Sequence, residues 1–231
     1  MEKQKLYETR RHGTPRFPME CFITRTEGIQ HFQFPLHWHR NVEIMQVLRG
    51  TTSVTIGNET FSGEEGDIFF INQEELHRVA SEDDQLVYRT VIFPLQALTF
   101  SESDASQTYL EQLIQGTQRF PVQLTRKKDC DFLYALLYQI QNAAEQKSSG
   151  YELMVKALLL QMIAQMFCRH MMIPVQHAPS EKSQRLKEML QYIRQHYAES
   201  DLSVEKLCAY LHLSSTYFST LFKRETGTSF T

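Results

Sequence analysis

Phe34 to Gly50 reads Phe-Pro-Leu-His-Trp-His-Arg-Asn-Val-Glu-Ile-Met-Gln-Val-Leu-Arg-Gly, and it spaces His37, His39 and Glu43 two and four residues apart. Successive side chains on a β-strand alternate between faces, so both imidazoles and the carboxylate share one face and Trp38 takes the other. A second stretch, Gly66 to His77, adds another histidine after another apolar run. Three imidazoles and a carboxylate are a donor set for iron, zinc, manganese or nickel. The same groups can hydrogen-bond a small polar molecule without any metal. An isolated His-x-His at a strand end is more often plain polar surface, and only the combination with Glu43, Gly50, Gly66 and His77 lifts it above that. Arg25, Gln46 and Arg89 also fall on expected strands and join them as candidate pocket groups.

These residues need a β-rich scaffold, and residues 21–98 have the pattern for one. Val42 to Leu48, the alternating Thr52 to Ile56, and Asp67 to Ile71 read as strands, with a hairpin turn at Gly57-Asn58. Leu86 to Phe93 closes the set before Pro94. Residues 1–20, charged and carrying Gly13, Pro15 and Pro18, read as an arm outside the core.

After Pro94 the apolar period changes from two to about 3.6. Ser106 to Gly116, Lys127 to Glu145 and Tyr151 to about Met171 read as helices within a helical segment, 99–173. Leu153, Ala157, Leu160, Ala164, Phe167 and Met171 alternate steps of four and three, the rhythm of a helix–helix seam, within one subunit or against a second copy. Residues 174–182, with Pro174 and Pro179, read as a linker.

Residues 183–231 read as three helices. The second starts at Ser203 and the third at Ser214, both good N-caps, joined by a turn of only His212-Leu213. Two short capped helices so joined suggest a helix-turn-helix. Ser215, Thr216, Ser219, Thr220 and Lys223 lie opposite the Phe218 face, and with Ser214 and Arg224 they are the candidate DNA contacts, although such residues could equally be a plain solvent-facing surface. Six Lys/Arg stand against five Asp/Glu from Arg185 onward, a modest electrostatic footprint for DNA.

The whole chain of 231 residues is 42% hydrophobic and 22% charged with a formal charge of -3. It can bury a core, and its charge alone points to no polyanionic partner. Four scattered cysteines with no C-x-x-C argue against a disulfide framework or structural zinc. The polar N-terminus does not read as a signal peptide, and Ala157 to Phe167 reads as too short and too polar to span a membrane. The expectation is a cytoplasmic protein.

Two resemblances sharpen this reading. The first stretch resembles the first motif of the cupin barrel in full, while the second stretch departs from it with Asn72 for a usual proline and Glu74 for a usual glycine. Ser214 to Gly227, Ser-x-x-Tyr-Phe-Ser-x-Leu-Phe-Lys-x-x-x-Gly, resembles the first helix-turn-helix of the AraC/XylS family of transcription regulators. The fold this implies is α+β: a cupin (double-stranded β-helix) barrel with paired helices, then a small all-α helix-turn-helix unit. The function it implies is a homodimeric regulator that binds promoter DNA and a small effector, for example a sugar. In that family Thr216 and Thr220 occupy base-reading positions, and a second helix-turn-helix follows where this sequence stops, so the DNA-binding half is expected to be incomplete. The resemblance favours a pocket without cofactor or metal. A metal on His37, His39, Glu43 and His77, in a sensor or in a metal-dependent cupin enzyme such as a dioxygenase or isomerase, is the alternative.

Overall fold

A computed structural model describes residues 6–100, 104–126, 130–175, 203–211 and 213–226, the last six of these by their backbone alone. The chain divides into two compact units, Glu8–Val175 and one holding the C-terminal helices.

The larger unit is a barrel of two antiparallel sheets. Its strands are β1 (Glu20–Arg25), β2 (Phe32–His37), β3 (Val42–Arg49), β4 (Thr52–Ile56), β5 (Glu59–Gly63), β6 (Ile68–Ile71), β7 (His77–Ser81) and β8 (Val87–Phe93), with short pieces β9 (Gln118–Arg119), β10 (Gln123–Leu124) and β11 (Ile173–Pro174). One sheet runs β1-β8-β3-β6-β10 and the other β2-β7-β4-β5, while β11 pairs with β9 apart from both. Strand alternation sorts the core into two layers. Met45, Val47, Val54, Phe69, Ile71, Val79 and Tyr88 fill the barrel, while Val42, Ile44, Val91 and Phe93 turn outward to meet the helices. Gly50 makes the β3–β4 turn at φ +81°, and a Cβ there would sit 3.0 Å from Leu86 Cα, so the motif glycine has a steric reason.

Three helices cover the outward layer: α1 (Gln107–Gln115), α2 (Asp131–Gln146) and α3 (Tyr151–Cys168). No glycine or proline interrupts α2 or α3. Leu133, Leu136, Leu137 and Ile140 of α2 pack with Val155, Leu158, Leu159, Met162, Ile163 and Met166 of α3. Each such burial contributes about 1.5–3 kcal/mol, enough together to fix the helix pair on the sheet. By length and composition alone the whole of α3, 18 residues, would suffice to cross a membrane, although the apolar run Ala157 to Phe167 within it is shorter. Here it is the core helix of the larger unit.

Three expectations change. The seam residues are not the face that packs inside the subunit: Leu153 is 74% exposed, Ala157 and Ala164 are exposed, and Leu160 and Phe167 are half-buried. Burial follows the neighbouring stripe from Val155 to Met166, so the intrasubunit form of the seam is overturned. Residues 8–20 are also more than an arm. Met19 is in the core with Phe17 against it, and His12 is buried. At the other end, Ile173 and Pro174 are paired strand rather than connector.

In the smaller unit α4 (Val204–Leu211) and α5 (Ser215–Thr226) form the expected pair. Ser203 Oγ accepts from Lys206 N at 3.3 Å and Ser214 Oγ from Tyr217 N at 3.2 Å, the two N-caps. Leu213 N donates to Cys208 O across the turn, and Leu207, Cys208 and Phe218 are buried. The first of the three helices expected over 183–231 lies outside the described residues.

Candidate functional site

Pro35 begins the site. It has no N–H for the ladder, and the β2–β7 register slips there by one residue, from Phe34 opposite Val79 to His37 opposite His77. The slip brings the two histidine rings to 4.1 Å between centroids. Glu43 enters from β3 on the barrel-facing side, and His39 follows just beyond β2. One ligand atom from each of His37, His39, Glu43 and His77 lies within 4.8 Å of every other.

The second ring nitrogen of each histidine fixes its chemistry. His37 Nδ1 meets Pro35 O at 2.9 Å, His39 Nδ1 meets Asn41 O at 3.1 Å, and His77 Nδ1 meets Glu75 O at 2.9 Å. A carbonyl oxygen only accepts, so each Nδ1 carries a proton and each Nε2 is turned into the cluster, where it offers a lone pair once it is unprotonated. Metal-ligating histidines are oriented in this way. His39 Nε2 is 3.1 Å from Glu43 Oε2. His77 Nε2 is 3.3 Å from the same oxygen but without hydrogen-bond alignment, and it is a buried atom with no bonded partner. A divalent cation would satisfy all four groups at once, so the donor set fits a transition metal.

Burial by itself would raise the Glu43 carboxyl, but His39 and His77 beside it hold it far below the usual carboxylate range. His77 is pushed down by burial and raised overall by Glu43. His37 is lowered, first by burial and then by the neighbouring His77.

The N-terminal segment supplies groups that the sequence reading missed. Glu8 N donates to Trp38 O at 3.0 Å, which holds Glu8 beside the His-x-His pair. Glu8 Oε2 is 2.9 Å from His12 Nε2 and 4.0 Å from His37 Nε2. His12 Nδ1 is 2.9 Å from Glu20 Oε2. Burial opposes ionisation of Glu8 and His12, yet their mutual bond outweighs it: the Glu8 pKa falls and the His12 pKa rises. No periodicity marks Glu8 or His12. Thr90, buried on the face of β8 that meets Met45, carries another unpartnered hydroxyl, and its parity was readable.

Three of the expected pocket groups do not join the site. Arg25 is exposed at the end of β1. Gln46 is three residues from Glu43, hence of opposite parity, and faces the helices. Arg89 pairs with it on that outward face, donating to Gln46 Oε1 at 2.6 Å and to Gln141 Oε1 of α2 at 2.5 Å. The two departures in the second stretch have structural consequences. Glu74 adopts φ +63°, the left-handed region a glycine takes most easily. Asn72 N donates to Glu75 Oε2 at 2.9 Å, a bond proline cannot make, and its side chain exchanges bonds with both backbone groups of Phe120.

On α5, Ser215, Thr216, Ser219 and Thr220 are exposed, as is Ser214 before it. Thr220 Oγ1 donates to Thr216 O at 2.8 Å, which leaves an oxygen lone pair and a methyl outward. The side chains of Lys223 and Arg224 lie outside the described residues.

A cupin-type barrel with a convergent polar site, followed along the chain by a capped helix-turn-helix, defines a sensor joined to a DNA-binding unit. Residues 22–163 match the AraC-like ligand binding domain, and residues 193–231 match the bacterial regulatory helix-turn-helix proteins of the AraC family. The chain belongs to the AraC family of transcription regulators. It is 24% identical over 222 residues to the uncharacterized HTH-type transcriptional regulator YdeC of Bacillus subtilis (strain 168), covering 96% of this chain and 76% of that protein. To the uncharacterized HTH-type transcriptional regulator YfiF of the same organism it is 25% identical over 206 residues, covering 87% and 63%. Among solved structures it is similar to the AraC-like transcriptional activator CuxR, at 12% identity and a TM-score of 0.41, covering 80% of this chain and 61% of that one. It is also similar to the Bacillus subtilis oxalate decarboxylase studied for its Mn(II) centres, at 21% identity and a TM-score of 0.29, covering 33% and 21%. This chain therefore spans less than two thirds of YfiF and of CuxR.

Proposed function

We propose that this chain is a cytoplasmic regulator whose barrel ligand is a divalent transition-metal ion held by His37, His39, Glu43 and His77. The observation that carries the reading is the convergence of three Nε2 atoms and one buried carboxylate, with every Nδ1 committed to a backbone carbonyl. Bound there, the ion supplies positive charge to a group of acceptors that otherwise need protons. Binding can move the DNA-binding unit only through unequal affinity for two arrangements of the chain. Ser214, Ser215, Thr216, Ser219, Thr220, Lys223 and Arg224 are the proposed DNA contacts, with threonine hydroxyls and methyls reading bases and the basic side chains positioning on phosphates. The exposed stripe of α3 is proposed to pair two copies.

The second reading is a small polar effector such as a sugar, bonded by the same imidazoles. The buried, unpartnered Thr90 hydroxyl favours it. Elemental analysis of the untagged chain after dialysis against Mn²⁺, Ni²⁺ or Zn²⁺ separates the two. One ion per chain, lost in His39→Ala, supports the metal. No ion retained in any of the three overturns it and leaves the organic effector. DNA fragments selected by the chain from a random pool, and retained differently with and without the ion, support regulation. No sequence preference in either condition, from this chain and from one extended by a second helix-turn-helix, counts against it.

A further inference from the structure

We propose that Glu8 is a further residue of the barrel site, a carboxylate that the N-terminal segment delivers toward the cation held by His37, His39, Glu43 and His77. The inference rests on the metal reading above. Its geometry has three parts. The Glu8 N to Trp38 O bond fixes the backbone one residue from both His37 and His39. The Glu8 side chain is 14% exposed, and Oε2 is 4.0 Å from His37 Nε2. Independently of Glu8, His77 Nε2 is buried, unpartnered and directed into the same cluster.

Charge explains why the carboxylate has two partners within reach. Both nitrogens of His12 meet carboxylate oxygens, Glu8 on one side and Glu20 on the other, so His12 is an imidazolium that answers Glu8 while no ion is bound. Arg10 also pairs with Glu20, at 2.9 Å, so Glu20 has cationic partners of its own. A divalent ion adds two positive charges beside Glu8. Glu43 offsets one of them, and Glu8 is the neighbouring anion that offsets the other. Glu8 therefore links ion binding to the docking of residues 8–19. If Glu8 only fastened that segment through His12, removing Glu20 would have the same effect as removing Glu8, and the test turns on this difference.

The probe is Co²⁺ added to the untagged 231-residue chain, with affinity read by chelator competition and coordination by the visible absorption spectrum. Glu8→Gln is expected to weaken Co²⁺ about 10–100-fold and to change the spectrum. Glu20→Gln, which loosens His12 without reaching the imidazoles, is expected to leave both unchanged. In a second readout, Co²⁺ is expected to slow tryptic cleavage after Arg11 and Arg16 in the wild type but not in Glu8→Gln. A Glu8→Gln protein that melts normally with wild-type affinity, spectrum and protection overturns the proposal while the metal reading stands. Equal loss in Glu8→Gln and Glu20→Gln with an unchanged spectrum also overturns it, since Glu8 then only docks the segment. No Co²⁺ bound by the wild type overturns the metal reading and this inference together.

Discussion

Arg89 Nη1 donates to Gln46 Oε1 at 2.6 Å on the face of β3 that turns away from Glu43. Arg89 Nε donates to Gln141 Oε1 of α2, and Gln141 in turn donates to Glu145 at 2.7 Å. The guanidinium therefore ties sheet to helix and stays outside the barrel.

Arg89→Met tests this placement. It removes a buried charge and leaves the Gln46 and Gln141 carbonyls without their donor. Hydrogen bonds to charged groups are worth about 1.5–3 kcal/mol each, less what apolar packing of the new side chain returns. The expected loss is about 2–4 kcal/mol in urea unfolding, with metal stoichiometry unchanged. Loss of metal or effector binding at unaltered stability would put Arg89 back in the pocket.

His12 gives a pH-dependent prediction. Its folded pKa is raised by Glu8 and Glu20 above the ordinary value of about 6.5. A raised pKa stabilises fully below the unfolded value, and the contribution is lost as pH rises through the folded value. The difference in Tm between wild type and His12→Gln should be largest near pH 6 and shrink steadily above about pH 6.5. A difference that grows with pH would mean that His12 is buried neutral.

Metal binding carries its own proton linkage. Each Nε2 must be unprotonated to ligate. His77 has a pKa raised by Glu43 and His37 one lowered by burial, so His77 holds its proton to higher pH than His37 does. Mn²⁺ affinity should therefore rise between about pH 6 and 7.5. Calorimetry in two buffers of different ionisation enthalpy should show proton release that fades toward the upper limit. Affinity independent of pH would exclude the imidazoles as ligands.

The line between legible and illegible follows local pattern. His37, His39 and Glu43 share parity, so their convergence was readable before any coordinates. Gln46 could have been placed by the same argument, since it is an odd number of residues from Glu43, whereas Arg89 is placed only by its register opposite Gln46. Glu8 and His12 could not: they sit on irregular backbone with no period, and their contact with Glu20 and His37 depends on how the N-terminal segment folds back. The apolar stripe on α3 posed a different problem. Two overlapping stripes, one starting at Leu153 and one at Val155, both have helical spacing. Only the position of the sheet decides which one is buried.

The stripe left outside gives the last prediction. Leu153 and Ala157 are exposed, but Leu160 and Phe167 also touch the core, so acidic residues at those two would damage the fold as well as any contact between copies. Leu153→Glu with Ala164→Glu is the cleaner change, because both side chains point to solvent and an exposed substitution of this kind costs about 0.5 kcal/mol or less within the subunit. Light scattering should give the wild type twice the monomer mass and the double variant the monomer mass, with melting curves that match at low concentration. A wild-type dimer that survives both substitutions must pair through another surface. A monomeric wild type would mean that the stripe, with Tyr109 packed edge-on against Phe167 beside it, joins no second copy of this chain.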